Sequence, residues 1–133
     1  MIVLANGCFD QLHYGHLLHL EAASRMGTLI VSITADEFVN KGPNMPAYPD
    51  WQRAALVGAL HCVTRTIIVP GLIAALEEIK PDILVKGVDY AAGLEQVHND
   101  YCKAHGIEIC FTDEPIFSAT KIINDRFRES SRV

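Results

Sequence analysis

The sequence lacks any apolar run long enough to cross a bilayer, and its few cysteines form no recognisable pattern. The N-terminal apolar run, Ile2 to Ala5, is far shorter than the about 20 residues of a membrane-spanning helix. It also lacks the basic flank and the length of a signal peptide. No paired spacing of a disulfide framework or a zinc site occurs among the four cysteines, which are Cys8, Cys62, Cys102 and Cys110. We therefore expect a cytoplasmic protein with no membrane partner.

Basic residues are also scarce. The 133 residues include 11 Lys and Arg against 16 Asp and Glu, which gives a formal net charge of −5. This balance disfavours nucleic acid as a partner, because binding to it depends on neutralising phosphates. Half of the residues are hydrophobic, enough for one core in a chain too short for separate cofactor and substrate domains. We expect one domain over residues 1–127 and a polar tail over 128–133.

Short apolar runs alternate with helical patterns along the chain. Such alternation is typical of a parallel sheet with helices on both faces. We predict a single-domain, α/β, Rossmann-like fold, in which a doubly wound five-stranded parallel sheet has the strand order 3-2-1-4-5. The predicted strands are Ile2–Ala5, Leu29–Thr34, Thr66–Val69, Ile83–Lys86 and Ile107–Phe111. The predicted helices are Tyr14–Met26, Asp50–Leu60 with Asp50 as its cap, Ile73–Ile79, Leu94–His105 and Ala119–Phe127.

The stretch from Asn6 to His16 joins the first predicted strand to the first helix. Backbone N–H groups of a first helical turn, placed at the carboxyl end of a buried strand, form a site for phosphate. His13 and His16 lie on one side of that turn, and Gly15 leaves no side chain between them and a ligand. Two alternatives are capping histidines at the surface and a metal site that includes Cys8. No carboxylate or CxxC completes a zinc set, and helical rotation is expected to carry the third histidine, His19, off this face.

The run from Gly7 to His16, GCFDQLHYGH, resembles the HxGH signature of the cytidylyltransferase-like nucleotidyltransferases. This resemblance implies that His13 and His16 contact the triphosphate of a nucleotide and stabilise the transition state of nucleotidyl transfer. It extends over nearly the whole chain and is closest to the branch that makes ADP-heptose from heptose 1-phosphate. Glycerol-3-phosphate cytidylyltransferases are also similar, and flavin or coenzyme A pathway adenylyltransferases are a weaker match.

Three further segments are similar to motifs of that branch: residues 41–53 to KG…P…P…QR, 81–90 to PDxLVKGxDY, and 118–123 to STTxII. The resemblance implies catalytic roles for His13, His16 and Lys41. It implies nucleotide binding by Gly7, Cys8, Phe9, Asp10, Gly15, Lys86, Gly87, Asp89, Ser118, Ala119 and Thr120. It implies phosphate or acceptor binding by Asp36, Arg53, Met45 and His61. The alternatives are a turn residue for Asp36 and solvated surface charges for Lys41 and Arg53. The predicted strand order independently brings residues 86–90 to face the HxGH turn.

Several residues depart from the pattern. Ala119 lacks one hydroxyl of the STTxII motif, His61 and Thr64 differ from the usual residues, and the loop 112–117 is about one residue shorter than the pattern. Met45 stands where the heptose enzymes commonly carry arginine, and methionine cannot supply bidentate donors to a phosphate. His61 or Lys41 could compensate for that loss, or Met45 packs against Trp51 or Tyr48. These departures bear on the identity of the acceptor more than on the binding of the nucleotide.

The resemblance implies a reaction in which a nucleoside triphosphate, ATP rather than CTP, transfers its nucleoside monophosphate to a small phosphorylated acceptor. The expected acceptor is a sugar phosphate such as heptose 1-phosphate, and pyrophosphate is released. The expected cofactor is Mg²⁺, held mainly through the nucleotide phosphates. A homodimer is also expected. The alternatives are a CTP:glycerol-3-phosphate cytidylyltransferase and, from another class, a non-catalytic nucleotide-binding protein.

Overall fold

The structure is a computed structural model that describes residues 1–39, 46–87 and 96–112. Strands and helices alternate through these residues, and none of the described helices is long and apolar enough to cross a bilayer. The elements are β1 (Ile2–Gly7), α1 (Tyr14–Ser24), β2 (Thr28–Thr34), α2 (Asp50–Gly58), β3 (Arg65–Val69), α3 (Leu72–Ile79), β4 (Ile83–Gly87), α4 (Gln96–Ala104) and β5 (Glu108–Thr112). A short 3-10 turn, Asp36–Phe38, follows β2.

The five strands form one sheet in the order β3-β2-β1-β4-β5, and every neighbouring pair is parallel. This confirms the predicted fold and strand order. β1 lies at the centre, where Ala5 pairs with Val31 of β2 on one side and with Val85 of β4 on the other. The direction of winding reverses at β1. Ligands of such sheets bind at this reversal, outside the carboxyl ends of the strands.

The core is divided between the two faces of the sheet. One cluster contains Val3 and Ala5 of β1 with Leu20 of α1 and Val57 of α2. The other contains Leu4 of β1 and side chains of α3 and α4. Because successive strand residues point to opposite faces, a strand covered on both sides needs apolar residues at every position. This explains the uninterrupted run at the start of the chain.

The boundary of α2 differs from the prediction. Pro49 occupies the N-cap position and makes no side-chain capping bond, so the prediction that Asp50 caps this helix is wrong. Asp50 is the first helical residue, and its Oδ2 accepts a hydrogen bond from the Asp36 N–H at 3.2 Å. Its charge still lies at the positive end of the helix dipole. The predicted last helix, Ala119–Phe127, and the tail 128–133 lie outside the described residues.

Candidate active site

The chain leaves β1 through an unusual backbone conformation at Phe9, which has a φ of +52° although it is not glycine. Its buried ring lies against Gly7, where an added Cβ would be 2.8 Å from the ring, and packs edge-on against His16 at a centroid distance of 5.3 Å. A left-handed residue other than glycine costs about 1–3 kcal/mol and is kept only where the surroundings enforce it. Gly7 and Phe9 thus shape the turn that leads into α1.

His13 and His16 form a stacked pair at the start of α1, with ring centroids 3.9 Å apart. His13 is the N-cap, and its Nδ1 accepts a hydrogen bond from the Gly15 N–H at 3.1 Å. The His16 Nδ1 accepts one from the His13 N–H at 3.1 Å. Since a neutral imidazole carries one proton, these bonds assign that proton to Nε2 in both rings. The capping arrangement therefore makes both Nε2 atoms hydrogen-bond donors.

Partial burial lowers the pKa of His13 below the ordinary histidine value. We expect wild-type protein to lose stability relative to His13→Asn as the pH falls from about 7.5 to about 5.5. The unfolded chain takes up a proton near its unperturbed pKa of about 6.5, whereas the folded chain resists protonation to a lower pH, so acid favours unfolding. Asparagine can cap the helix without titrating. Urea denaturation of both proteins across this pH range measures the difference.

The substitution His61→Gln removes an exposed histidine and serves as the control for this titration. A stability difference between wild type and His13→Asn that does not change with pH would contradict the prediction. NMR titration of the His13 ring showing a pKa above about 6.5 would contradict it too.

A metal site at this turn is not supported by the described residues. Both Nδ1 atoms accept backbone hydrogen bonds. No group of three or more His, Cys, Asp or Glu side chains within residues 1–39, 46–87 and 96–112 is arranged to hold a metal ion.

Arg53 of α2 is fully buried. The expectation was a cation that closes over a phosphate. Its Nε donates to the Tyr48 carbonyl and its Nη1 to the Cys8 carbonyl, both at 2.9 Å. Its Nη2 forms an ion pair with the Asp36 Oδ1 at 2.6 Å. These groups come from the turn after β1, the 3-10 turn after β2 and the segment before α2. In this structure Arg53 and Asp36 therefore connect three segments, and all three guanidinium nitrogens of Arg53 bind groups of the protein.

Asp10, at the turn after β1, is also buried. Its Oδ2 accepts a hydrogen bond from the Ala47 N–H at 2.7 Å, and its Oδ1 accepts one from the Tyr48 N–H at 2.9 Å. With both oxygens engaged by the backbone, the carboxylate holds the chain that enters α2 against the HxGH turn.

A cavity of about 270 Å³ opens at the carboxyl ends of β1, β2 and β4. It brings Lys86 and Gly87 beside Gly7 and Cys8, as the strand order predicted. Burial lowers the pKa of Lys86. The lining residues are Asn6, Gly7, Cys8, His19, Thr34, Phe38, Val39, Val85, Lys86 and Gly87.

Two polar residues of this lining were not predicted from the sequence. Asn6 accepts a hydrogen bond through Oδ1 from the Ser32 hydroxyl at 2.7 Å. His19, expected to lie off the face of His13 and His16, lines the cavity, which neither of those histidines does, and its Nδ1 lies 2.9 Å from the hydroxyl oxygen of buried Thr112. The sequence does contain a signal for the first pair, because Ser32 is a polar residue inside an apolar strand.

The structure does not bring His61 to this site. His61 follows α2 and precedes β3, and the nearby Thr64 N–H donates to the Leu29 carbonyl near the start of β2. His61 therefore lies at the amino ends of the strands, opposite the histidine pair, which corrects the acceptor-binding prediction within one copy of the chain. The other predicted site residues, Lys41, Met45, Asp89, Ser118, Ala119 and Thr120, lie outside the described residues.

Comparisons with known proteins identify the family. The family model described as cytidylyltransferase-like matches residues 4–125. The bifunctional protein HldE of Alcanivorax borkumensis is 38% identical over 96% of this chain, and that of Campylobacter jejuni strain RM1221 is 38% identical over 92%. The matched region spans only 28% and 27% of those two relatives.

The fold is also similar to a solved structure. The crystal structure of the lipopolysaccharide core biosynthesis protein from Thermoplasma volcanium has a TM-score of 0.74 and 26% sequence identity. The match covers 87% of this chain and 98% of that one.

Proposed function

This chain belongs to the cytidylyltransferase-like family of nucleotidyltransferases, and we propose that it transfers AMP from ATP to a sugar phosphate such as heptose 1-phosphate. The observation that carries the proposal is the histidine pair. Both Nδ1 atoms accept backbone hydrogen bonds, so both Nε2 atoms are donors, and they lie at the N-terminus of α1, where the backbone N–H groups also favour phosphate. The similarity to HldE proteins supports the choice of sugar phosphate and nucleotide.

The proposed reaction needs little covalent catalysis by the protein. An ionised oxygen of the acceptor phosphate attacks the α-phosphorus of ATP and forms the new P–O bond, while the bond from that phosphorus to the bridging oxygen breaks and pyrophosphate leaves. His13 and His16 donate through Nε2–H to the phosphate oxygens on which negative charge accumulates. Fixed donors of this kind stabilise the transition state without reorganisation, and the site orients the two substrates in line.

The described donor set fits a Mg²⁺ ion that is bound to the nucleotide and not directly to the protein. The Asp10 carboxylate accepts two backbone hydrogen bonds, and the Asp36 carboxylate pairs with Arg53. The Nε2 atoms of His13 and His16 are hydrogen-bond donors and so are not metal ligands in this arrangement. Mg²⁺ usually keeps several waters and binds through substrate phosphates, where it would neutralise charge on the leaving pyrophosphate.

ATP is expected to give a kcat/KM at least about tenfold above that for CTP, a difference of about 1.4 kcal/mol. The reason is the similarity of residues 81–90 to the adenylyl-transferring branch. The measurement is pyrophosphate release in a screen that crosses ATP, CTP, GTP and UTP with sugar 1-phosphates and glycerol 3-phosphate. Preference for CTP with glycerol 3-phosphate would support the alternative cytidylyltransferase. Nucleotide binding without pyrophosphate release for any pair would support the non-catalytic alternative.

A further inference from the structure

The ring of Phe9 touches both the end of β1 and one histidine of the pair at the start of α1. It packs edge-on against the His16 ring, with the centroids 5.3 Å apart and an angle of 64° between the two planes. Its Cε2 lies only 2.8 Å from the position that an added Cβ on Gly7 would take. The ring is buried and belongs to the apolar cluster that contains Leu20 of α1. Phe9 therefore joins the hydrophobic core directly to His16.

The backbone conformation at Phe9 favours a residue other than phenylalanine. Its φ of +52° lies in the left-handed region, which glycine and asparagine adopt with the least strain. Other residues are kept in this conformation only where the surrounding structure enforces it, and such outliers cluster at functional sites. Glycine would form the same turn with less strain, so what phenylalanine adds at this position is its ring.

The hydrogen bond of His16 fixes one atom of its ring but not the plane of the ring. The His16 Nδ1 accepts from the His13 N–H at 3.1 Å. The torsion that turns a histidine ring about its Cβ–Cγ bond is broad, so one bond at Nδ1 leaves the ring able to tilt. Contacts with the Phe9 ring and with the stacked His13 ring, whose centroid is 3.9 Å away, restrict this tilt. They thereby fix the direction of the Nε2–H bond.

We propose that Phe9 is a positioning residue for nucleotidyl transfer, whose ring aims the Nε2–H donors of His16 and His13, and that Gly7 leaves room for this ring. The inference rests on the proposed function. The family resemblance implied nucleotide binding by Gly7 and Phe9, whereas the inference assigns the Phe9 ring and the space at Gly7 to the histidine pair. The direction of a donor matters most where charge accumulates in the transition state, so the effect is expected on kcat more than on nucleotide binding.

The first test is the kinetics of Phe9→Leu, which keeps an apolar side chain in the core but removes the ring. The kcat for pyrophosphate release is expected to fall about ten- to a hundredfold, since a misplacement of about 1 Å can cost a hundredfold. The Kd of the non-hydrolysable α,β-methylene analogue of ATP, measured by calorimetry, is expected to stay within about threefold of wild type. The control for lost packing is Leu29→Val, in the same apolar cluster but at the start of β2, which should leave kcat unchanged.

A second test uses the contact between Gly7 and Phe9. Gly7→Ala places a methyl group where the ring now lies, so it is expected to lower kcat about as far as Phe9→Leu does. Leucine lacks Cε2 and Cζ, the ring atoms nearest to that methyl group, so the double variant should have about the kcat of Phe9→Leu alone. If Gly7 served the nucleotide independently of Phe9, the two losses would multiply. Gly7→Ala also supplies the kinetic and spectroscopic test if Phe9→Leu does not fold.

The third test observes the histidine rings without turnover. Near pH 8, above the ordinary histidine pKa of about 6.5, nitrogen-15 NMR of wild type is expected to show both rings neutral with the proton on Nε2. In Phe9→Leu, the His16 signal is expected to show a mixture of the two tautomers, because a ring that tilts leaves its backbone bond part of the time. Leu29→Val should keep the wild-type signals. His13→Asn and His16→Gln assign the signals by their loss.

Wild-type histidine signals in Phe9→Leu, or a kcat within about threefold of wild type, would overturn the inference. A Kd for the ATP analogue that rises as much as kcat falls would overturn it too, and would assign Phe9 to the nucleotide. Losses that multiply in the double variant would overturn the role given to Gly7. Failure of the proposed function is seen separately, as the absence of pyrophosphate release from wild type with every substrate pair, and the NMR comparison then decides whether Phe9 fixes the histidine rings.

Discussion

His13→Ala and His16→Ala are each expected to lower kcat by about a hundred- to a thousandfold, the usual loss when one transition-state donor is removed. The reason is that, in the proposed reaction, each neutral ring donates its Nε2–H to a phosphate oxygen on which negative charge accumulates, since both Nδ1 atoms accept backbone hydrogen bonds. The measurement is pyrophosphate release at saturating ATP and acceptor, with circular dichroism to show that each variant is folded.

Controls separate the donor role of each histidine from its capping role. His13→Asn retains a side chain that can cap the helix but lacks the imidazole donor, so its kcat should fall about as far as that of His13→Ala. His61→Ala removes an exposed histidine at the opposite edge of the sheet and should leave kcat unchanged. A histidine variant that keeps kcat within about threefold of wild type has no direct role in the chemical step.

Arg53→Met is expected to lower the free energy of unfolding by about 3 kcal/mol or more, the range seen when one partner of a buried charge pair is removed. The methionine leaves the Cys8 and Tyr48 carbonyls without their donor and the Asp36 carboxylate without its cation. The Asp36 side chain is 43% exposed, so water recovers part of that loss and the two carbonyls account for the rest. Urea denaturation measures the change.

The controls for this substitution are Arg53→Lys and Arg65→Met. Lysine lacks the planar fork that reaches three acceptors at once, so it should recover less than half of the lost stability. Arg65 is exposed on the edge strand β3, and its replacement should change stability by less than about 0.5 kcal/mol. If Arg53→Met retained wild-type stability but raised the KM for ATP, the phosphate contact predicted from the sequence would be correct and the anchoring role would not.

The order of the strands in the sheet was predictable because it follows from patterns within short segments of the sequence. Each strand is a short apolar run such as residues 2–5 or 83–86, and the helical segments between them enforce parallel crossovers. The position of the HxGH turn at the centre of the sheet follows from that order. The same reasoning would have excluded His61 from the site, since a residue between a helix and the next parallel strand lies at the amino edge.

Other features depend on contacts between distant segments and were not predictable. Arg53 is a charged residue beside a polar one in a surface helix pattern, and only the folded chain brings Cys8, Asp36 and Tyr48 around it. The left-handed backbone at Phe9 arises from the fit of its ring between Gly7 and His16. The Ser32–Asn6 bond requires the register of two strands that are separated by α1.

We propose that the turn between β1 and α1 catalyses nucleotidyl transfer to a phosphorylated sugar. The most direct test of this proposal is to incubate the purified chain with α-³²P-labelled ATP and heptose 1-phosphate, and to measure labelled product and pyrophosphate together. We expect one labelled nucleotide sugar for each pyrophosphate released, and neither product from the variant that carries both His13→Ala and His16→Ala. Equal pyrophosphate release without an acceptor, or labelled product that forms as well in the double variant, would contradict it.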